Sequence, residues 1–151
     1  MHLRLITVSG RQPAWVQAGF EDYQKRLPFP LELVELPLPA QRQDLAKAKQ
    51  EEAQKILKSA KDDYTVAFDE RGQLHDTPAW SKKLQTWQEQ RLRVSLLIGG
   101  PDGHDDSVLA HARERWSLSK LVLPHGLVRV VVAEQLYRAW SLSVGHPYHR
   151  A

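Results

Sequence analysis

Ser95-Leu96-Leu97-Ile98-Gly99-Gly100-Pro101-Asp102-Gly103 is an apolar run that stops abruptly in a glycine-rich turn. The run reads as a fully buried strand, and glycines just past its end let the main chain approach a ligand closely. Two more apolar runs, Tyr64 to Phe68 and Leu121 to Leu123, also end in polar or turn-forming residues, Asp69-Glu70-Arg71-Gly72 and Pro124-His125-Gly126. Parallel strands would bring the three ends together, at the edge where open α/β sheets take their ligands.

Outward from that stretch, helix and strand patterns alternate. Leu3, Leu5 and Val8 open a first strand. Pro13, at a helix-start position, precedes the stripe Val16, Phe20, Tyr23 and Leu27. Leu31 to Leu36 alternates as a half-buried strand should, and Pro37 and Pro39 end it. Asp44 to Ala60 is rich in helix formers, with Ala46, Ala53, Ile56 and Leu57 on one side and charges that read as a solvated face on the other. Thr77-Pro78 resembles an N-cap followed by a first-turn proline, and Trp80, Leu84 and Trp87 form a core stripe behind it. Further helices are expected over Ser107–Arg115 and from about Leu127 to Ser143, the last with Val128, Val132, Gln135, Leu136, Ala139 and Trp140 facing inward. Five β-α units predict a three-layer αβα architecture with a mostly parallel sheet, in one domain over residues 1–151.

The 151 residues suffice to bury about two thirds of the unfolded surface without a staple. Cysteine is absent, which excludes disulfides, thiolate metal sites and a cysteine nucleophile, and suits a reducing cytoplasm. The N-terminus runs straight into a strand pattern, and no segment approaches the ~18 apolar residues of a membrane span, so a soluble, unprocessed cytoplasmic protein is expected. The net charge of +3 favours a nucleic-acid partner without demanding one. Its distribution is more telling. Arg113, Arg115, Lys120, Arg129, Arg138 and Arg150, with His125, His146 and His149, crowd the last quarter of the chain.

No G-x-G-x-x-G follows the first strand and no G-x-x-x-x-G-K-[ST] occurs, so the dinucleotide and P-loop readings fail. Taken alone, Gly99-Gly100-Pro101-Asp102-Gly103 is as consistent with a tight turn as with a ligand loop. Context decides. Trp116-Ser117-Leu118-Ser119-Lys120-Leu121-Val122-Leu123-Pro124-His125, Leu127 to Trp140 and the tail Pro147-Tyr148-His149-Arg150 complete a long pattern. Together these segments resemble the RlmH family of SPOUT-superfamily methyltransferases over the whole chain. The resemblance implies methylation of N3 of a pseudouridine, in helix 69 of 23S ribosomal RNA, on the assembled ribosome. It also implies a C-terminal trefoil knot, a rare departure from the rule that connections do not thread, and a homodimer in which the tail of one subunit reaches the other's cofactor site.

Carried over residue by residue, the resemblance places S-adenosyl-L-methionine against Phe68, Gly99 and the run Leu118, Ser119, Lys120, Leu121, Val122 and Leu123. Phe68 stands where the family more often has leucine, and Val122 where threonine is common; both adjust the pocket. Gly99 is read as leaving room for the ligand. N3 is an imide nitrogen, so a base of near-neutral pKa and a cation facing the developing anion would both lower the barrier. The resemblance points to His149 as base or proton relay, Arg138 and Arg150 as phosphate or anion contacts, and Tyr148 as a stacking or orienting group. His125 reads equally as a turn histidine or a functional one, and Arg129 as a partner of Glu134 or of the helix surface.

Two other classes compete. A metal-dependent hydrolase is suggested by Asp102, His104, Asp105 and Asp106, and by His146 with His149, although Asp105 or Asp106 serves naturally as an N-cap. A non-catalytic RNA-binding module would use the basic C-terminal half; failure to bind the cofactor would distinguish it from an enzyme.

Overall fold

The computed structural model describes residues 1–150, the side chain of Arg150 excepted. Its strands are β1 (His2–Val8), β2 (Leu31–Leu36), β3 (Tyr64–Leu74), β4 (Arg93–Ile98) and β5 (Glu114–Ser117). Its helices are α1 (Ala14–Arg26), α2 (Leu45–Ala60), α3 (Thr77–Glu89), α4 (Asp106–His111) and α5 (His125–Val144), followed by a 3-10 turn at Pro147–Arg150. The strands pair in the order β2-β1-β4-β3-β5, all parallel.

That order assigns the helices to layers. The steps β1 to β2 and β3 to β4 run one way across the sheet, whereas β2 to β3 and β4 to β5 run the other. Right-handed crossovers then put α1 and α3 on one face and α2 and α4 on the opposite face. The two cores agree. Leu3, Leu5, Leu96 and Ile98 pack with Phe20, Trp80, Leu84, Val132 and Leu136 on one side. Ile6, Val8, Ala67 and Leu97 pack with Ala53, Ile56, Val108 and Leu109 on the other. The helix α5 joins α1 and α3, so the three-layer arrangement expected from the alternation holds.

The fifth strand differs from the expectation. It is Glu114–Ser117, which overlaps the end of the segment expected to be helical at Glu114 and Arg115, and α4 ends already at His111. Leu121 and Val122, expected in a strand, lie in a loop and are 73% and 84% exposed. A single residue anchors the real strand. Trp116 is 1% exposed and packs on Trp80, Trp87 and Phe68 with ring centroids 5.0, 5.7 and 6.2 Å away. β3 meets this residue twice, through Phe68 and again through Gln73, so residues 69–72 bulge out of the ladder. Gly72 makes the return possible, because a Cβ there would lie 2.6 Å from the Trp116 carbonyl carbon.

Local details shift by a residue or two. Pro13 is the N-cap of α1 and not its first helical residue. Asp76, not Thr77, caps α3 by accepting from the Ala79 N–H at 2.9 Å, with Pro78 in the first turn. Ala48, not Ala46, lies on the buried side of α2. Of the residues expected inward on α5, Val132, Leu136 and Ala139 are buried, while Val128, Gln135 and Trp140 are half-buried.

Candidate functional site

The ends of β3, β4 and β5 border a cavity of about 650 Å³. Phe68, Ile98 and Ser117 close its floor, the loop Gly99–Gly103 forms one wall, and Leu118 to Pro124 forms the other. His125 and Val128, from the first turn of α5, complete it. The volume lies within the ~300–1,000 Å³ of small-molecule sites. The third strand end is therefore Ser117-Leu118-Ser119, not Leu121 to Leu123, yet the predicted convergence is real.

The glycine loop is shaped by its own hydrogen bonds. Gly103 N–H donates to Gly100 O at 3.0 Å across Pro101-Asp102, a β-turn with proline at its second position. Gly103 adopts φ +82°, a conformation that favours glycine. The reason for Gly99 differs from the expectation. A Cβ there would meet Gly103 carbon at 2.8 Å and His104 nitrogen at 3.0 Å, so glycine at 99 lets the loop fold back on itself. Beneath the loop, His104 is 5% exposed, and its Nε2–H donates to the Leu97 carbonyl at 3.0 Å. Burial pushes its pKa down.

Six of the eight residues expected at the cofactor line the cavity beside Gly99: Phe68, Leu118, Ser119, Leu121, Val122 and Leu123, making seven in all. Lys120 does not, because the Ser119 turn carries it outward: Ser119 Oγ accepts from the Leu121 N–H at 2.9 Å, and Lys120 is exposed. Phe68 commits one face to Trp80, stacked at 6.1 Å, and is 9% exposed. His125 faces the cavity and shares a 2.9 Å hydrogen bond with Thr7 Oγ1. Burial, followed by the neighbouring Arg129 and His104, lowers its pKa. Arg129 pairs with neither Glu134 nor the surface of its own helix. It is 1% exposed and donates to Glu35 Oε2 at 3.1 Å and Ser9 Oγ at 2.9 Å, pinning α5 to the ends of β1 and β2.

The tail residues gather elsewhere. Tyr148 donates to Glu134 Oε2 at 2.7 Å, and its ring sits 4.7 Å from Tyr137 and 4.9 Å from the Arg138 guanidinium. Arg138 donates to the same carboxylate through Nε at 3.0 Å and Nη2 at 2.8 Å. Burial and the hydrogen bonds to Tyr23 and Glu134 push the Tyr148 phenol well above its ordinary range, so Tyr148 stays protonated. His149 Nδ1 is buried without a hydrogen-bond partner. The side chain of Arg150 lies outside the described residues. Ten residues of α5 separate Val128 from Arg138, a span of about 15 Å along the axis. Among the described side chains, none of Arg138, Tyr148 and His149 lines the cavity of its own chain.

The acidic cluster is taken up locally. Asp105 caps α4 by accepting from the Ser107 N–H and hydroxyl at 3.1 and 2.6 Å, and these bonds hold its carboxyl below the usual range. Asp102 pairs with Arg42. Among the described residues, no group of three or more His, Asp or Glu could hold a metal ion.

A family model described as "Predicted SPOUT methyltransferase" matches residues 1–149. Ribosomal RNA large subunit methyltransferase H from Alkalilimnicola ehrlichii is 50% identical over 155 residues, with 100% of each chain covered. The chain belongs to the RlmH family of SPOUT methyltransferases. The RlmH relative from Hahella chejuensis is 46% identical, with 99% of both chains covered. Among solved structures, TrmJ from Z. mobilis ZM4 aligns with a TM-score of 0.55 over 90% of this chain and 69% of that one, at 14% identity, a likeness of fold.

For an RlmH-family methyltransferase, sequence reasoning missed residues on α2 and before it. Glu52 was read as part of a solvated face but is 3% exposed, and Lys49 lines the cavity. A signal was available: Glu52 sits between Ala48 and Ala53 and one turn before Ile56, on the apolar side of the helix.

Proposed function

We propose that this chain, acting as one domain over residues 1–151, uses S-adenosyl-L-methionine to methylate N3 of a pseudouridine in helix 69 of 23S ribosomal RNA. The observation that carries the reading is the cavity at the ends of β3, β4 and β5, lined by the glycine loop, by Leu118 to Pro124 without Lys120, by the apolar Phe68, Ile98 and Val128, and at its rim by Lys49, Asp69, Glu70 and Arg71. Such a lining fits the cofactor. Amides and carbonyls hydrogen-bond the purine and ribose, while Phe68, Ile98, Leu118 and Val128 exclude water from the rings. S-adenosyl-L-methionine, when bound there, supplies an activated methyl group.

The protein's own residues supply positioning and proton transfer. His149 takes the N3 proton directly or through water, Arg138 and Arg150 face phosphate or the developing anion, and Tyr148 orients or stacks on the base. The high pKa of Tyr148 and its bond to Glu134 suit orientation and not proton abstraction. The reading includes a homodimer, because none of Arg138, Tyr148 and His149 lines the cavity of its own chain. The half-buried Val131 and Trp140 offer apolar surface for a second copy. It also includes the C-terminal trefoil knot of the SPOUT superfamily, the assembled ribosome as substrate and the cytoplasm as site of action.

Titration calorimetry with S-adenosyl-L-methionine tests the reading, with Val128→Trp as the cavity-filling control. Gly99→Leu is unsuitable, since a side chain there strikes its own loop. Saturable binding at one site per subunit, lost in a folded Val128→Trp protein, supports the proposal. Failure of the folded wild type to bind would sink it in favour of an RNA-binding module.

A further inference from the structure

The cavity's glycine wall is held from outside by a strut that the proposed reaction does not otherwise use. Glu52 projects from the middle of α2 and is buried against the loop: a Cβ on Gly100 would lie 2.6 Å from its Oε1 and 3.1 Å from its Oε2. Arg42, in the segment before α2, reaches both partners. Its Nη1 lies 3.4 Å from Glu52 Oε1, and its Nη2 donates to Asp102 Oδ2 at 2.5 Å. Two independent connections thus join the α2 region to the loop, one a steric seat at Gly100 and the other an ion pair at Asp102.

We propose that Glu52 is a positioning residue for cofactor binding: seated against Gly100 and tied through Arg42 to Asp102, it sets how far the Gly99–Gly103 main chain stands over the cavity. The inference rests on the cofactor reading above and adds residues to it. Its physical basis is that main-chain donors and acceptors recognise a ligand only at hydrogen-bond distance, so a displacement of a few tenths of an ångström in the loop alters affinity directly. Burial raises the Glu52 pKa while Arg42 opposes the rise, consistent with a carboxylate that needs its guanidinium. The arrangement also gives Gly100 a role separate from that of Gly99. Gly99 makes room for the loop's own return, whereas Gly100 makes room for Glu52.

The test is a double-mutant cycle read by calorimetric S-adenosyl-L-methionine affinity, with thermal unfolding of each protein alongside. Gly100→Ala in the wild-type background is expected to weaken binding about tenfold, and Glu52→Ala to weaken it comparably; adding Gly100→Ala to Glu52→Ala then costs little more. Equal losses from Gly100→Ala in both backgrounds, or unchanged affinity throughout, overturn the proposal. Arg42→Gln provides a second arm if a Glu52 variant fails to fold, because Arg42 is 28% exposed and leaves a smaller void. It should weaken binding with a melting temperature within a few degrees of wild type. Hydrogen exchange at the Gly103 amide, which needs no cofactor, separates the two readings. Faster exchange in Arg42→Gln supports the strut even if the wild type binds no cofactor, and unchanged exchange refutes it.

Discussion

If the tail acts on a cavity that neither Tyr148 nor His149 lines in its own chain, it serves a neighbouring subunit, and subunit mixing reads this out in a number. Val128→Trp fills the cavity and leaves the tail intact; His149→Ala disables the tail and leaves the cavity intact. Each homodimer should be inactive. Co-expressed in equal amounts, the two chains assemble so that half the dimers are mixed. In a twofold-symmetric dimer that shares sites across the interface, each mixed dimer pairs one intact cavity with one intact tail and pairs the two damaged elements with each other. One site in two is restored in half the dimers, which gives about a quarter of wild-type activity. If each chain used its own tail, every site would carry one lesion and the mixture would stay at background. The assay is methyl transfer from radiolabelled S-adenosyl-L-methionine to ribosomes that carry unmethylated pseudouridine. Calorimetry and thermal melts on the homodimers confirm that Val128→Trp is folded and cofactor-blind and that His149→Ala still binds. Background activity from a verified mixed dimer would refute the shared site and return the tail to its own chain.

Two more predictions concern stability. Trp116→Ala removes the anchor of β5 from a cluster with four other rings, Phe68, His75, Trp80 and Trp87, and should destabilise the protein by about 3–5 kcal/mol in chemical denaturation; a loss below 1 kcal/mol would show that β5 docks by other means. Stability should also fall on acidification. Burial lowers the folded-state pKa of both His104 and His125, so their contribution is complete above the unfolded value near 6.5 and is lost as pH falls through the folded values. The slope approaches about 1.4 kcal/mol per pH unit for each histidine. Denaturation series from pH 8 to pH 5 should show a smaller drop for His104→Leu, and identical profiles would refute the assignment.

The readability of this sequence followed its periodicity. β1 to β4 and their helices were legible because each buries a regular face: Leu3 and Leu5, then Val16 and Phe20, then Trp80, Leu84 and Trp87 are all 4% exposed or less. β5 was not, because Glu114-Arg115-Trp116-Ser117 offers one apolar residue, whereas the more apolar Leu121-Val122-Leu123 lies at a cavity mouth. Hydrophobicity marks burial in a core, and here the segment beside a ligand site carries the same mark. The run proposed to hold the cofactor was singled out only through resemblance, since a turn that presents main chain leaves no side-chain signature. Glu52 and Arg129 escaped because a single buried charge looks, in sequence, like any charge on an amphipathic helix; its partners, Arg42 in one case and Glu35 with Ser9 in the other, are distant in the chain. The tail residues were singled out through the same resemblance, and their place relative to the cavity depends on the length and course of α5.

The sheet order also bears on how the protein is made. β1 is a central strand whose second neighbour is β4, with Leu3 beside Val94, and the face that β1 shares with β4 and β3 is roofed by α5, which follows all five strands in the chain. A nascent chain that has completed β2 can zip only the β2-β1 pair and leaves Leu3, Leu5 and Phe20 without their later partners. Nothing local rewards early folding, and the entropy of closing these long connections is offset only once most of the chain has emerged. Stability and the candidate site thus mature together, once α5 has emerged, and a chain truncated before α5 should be recognised by proteases as unfinished.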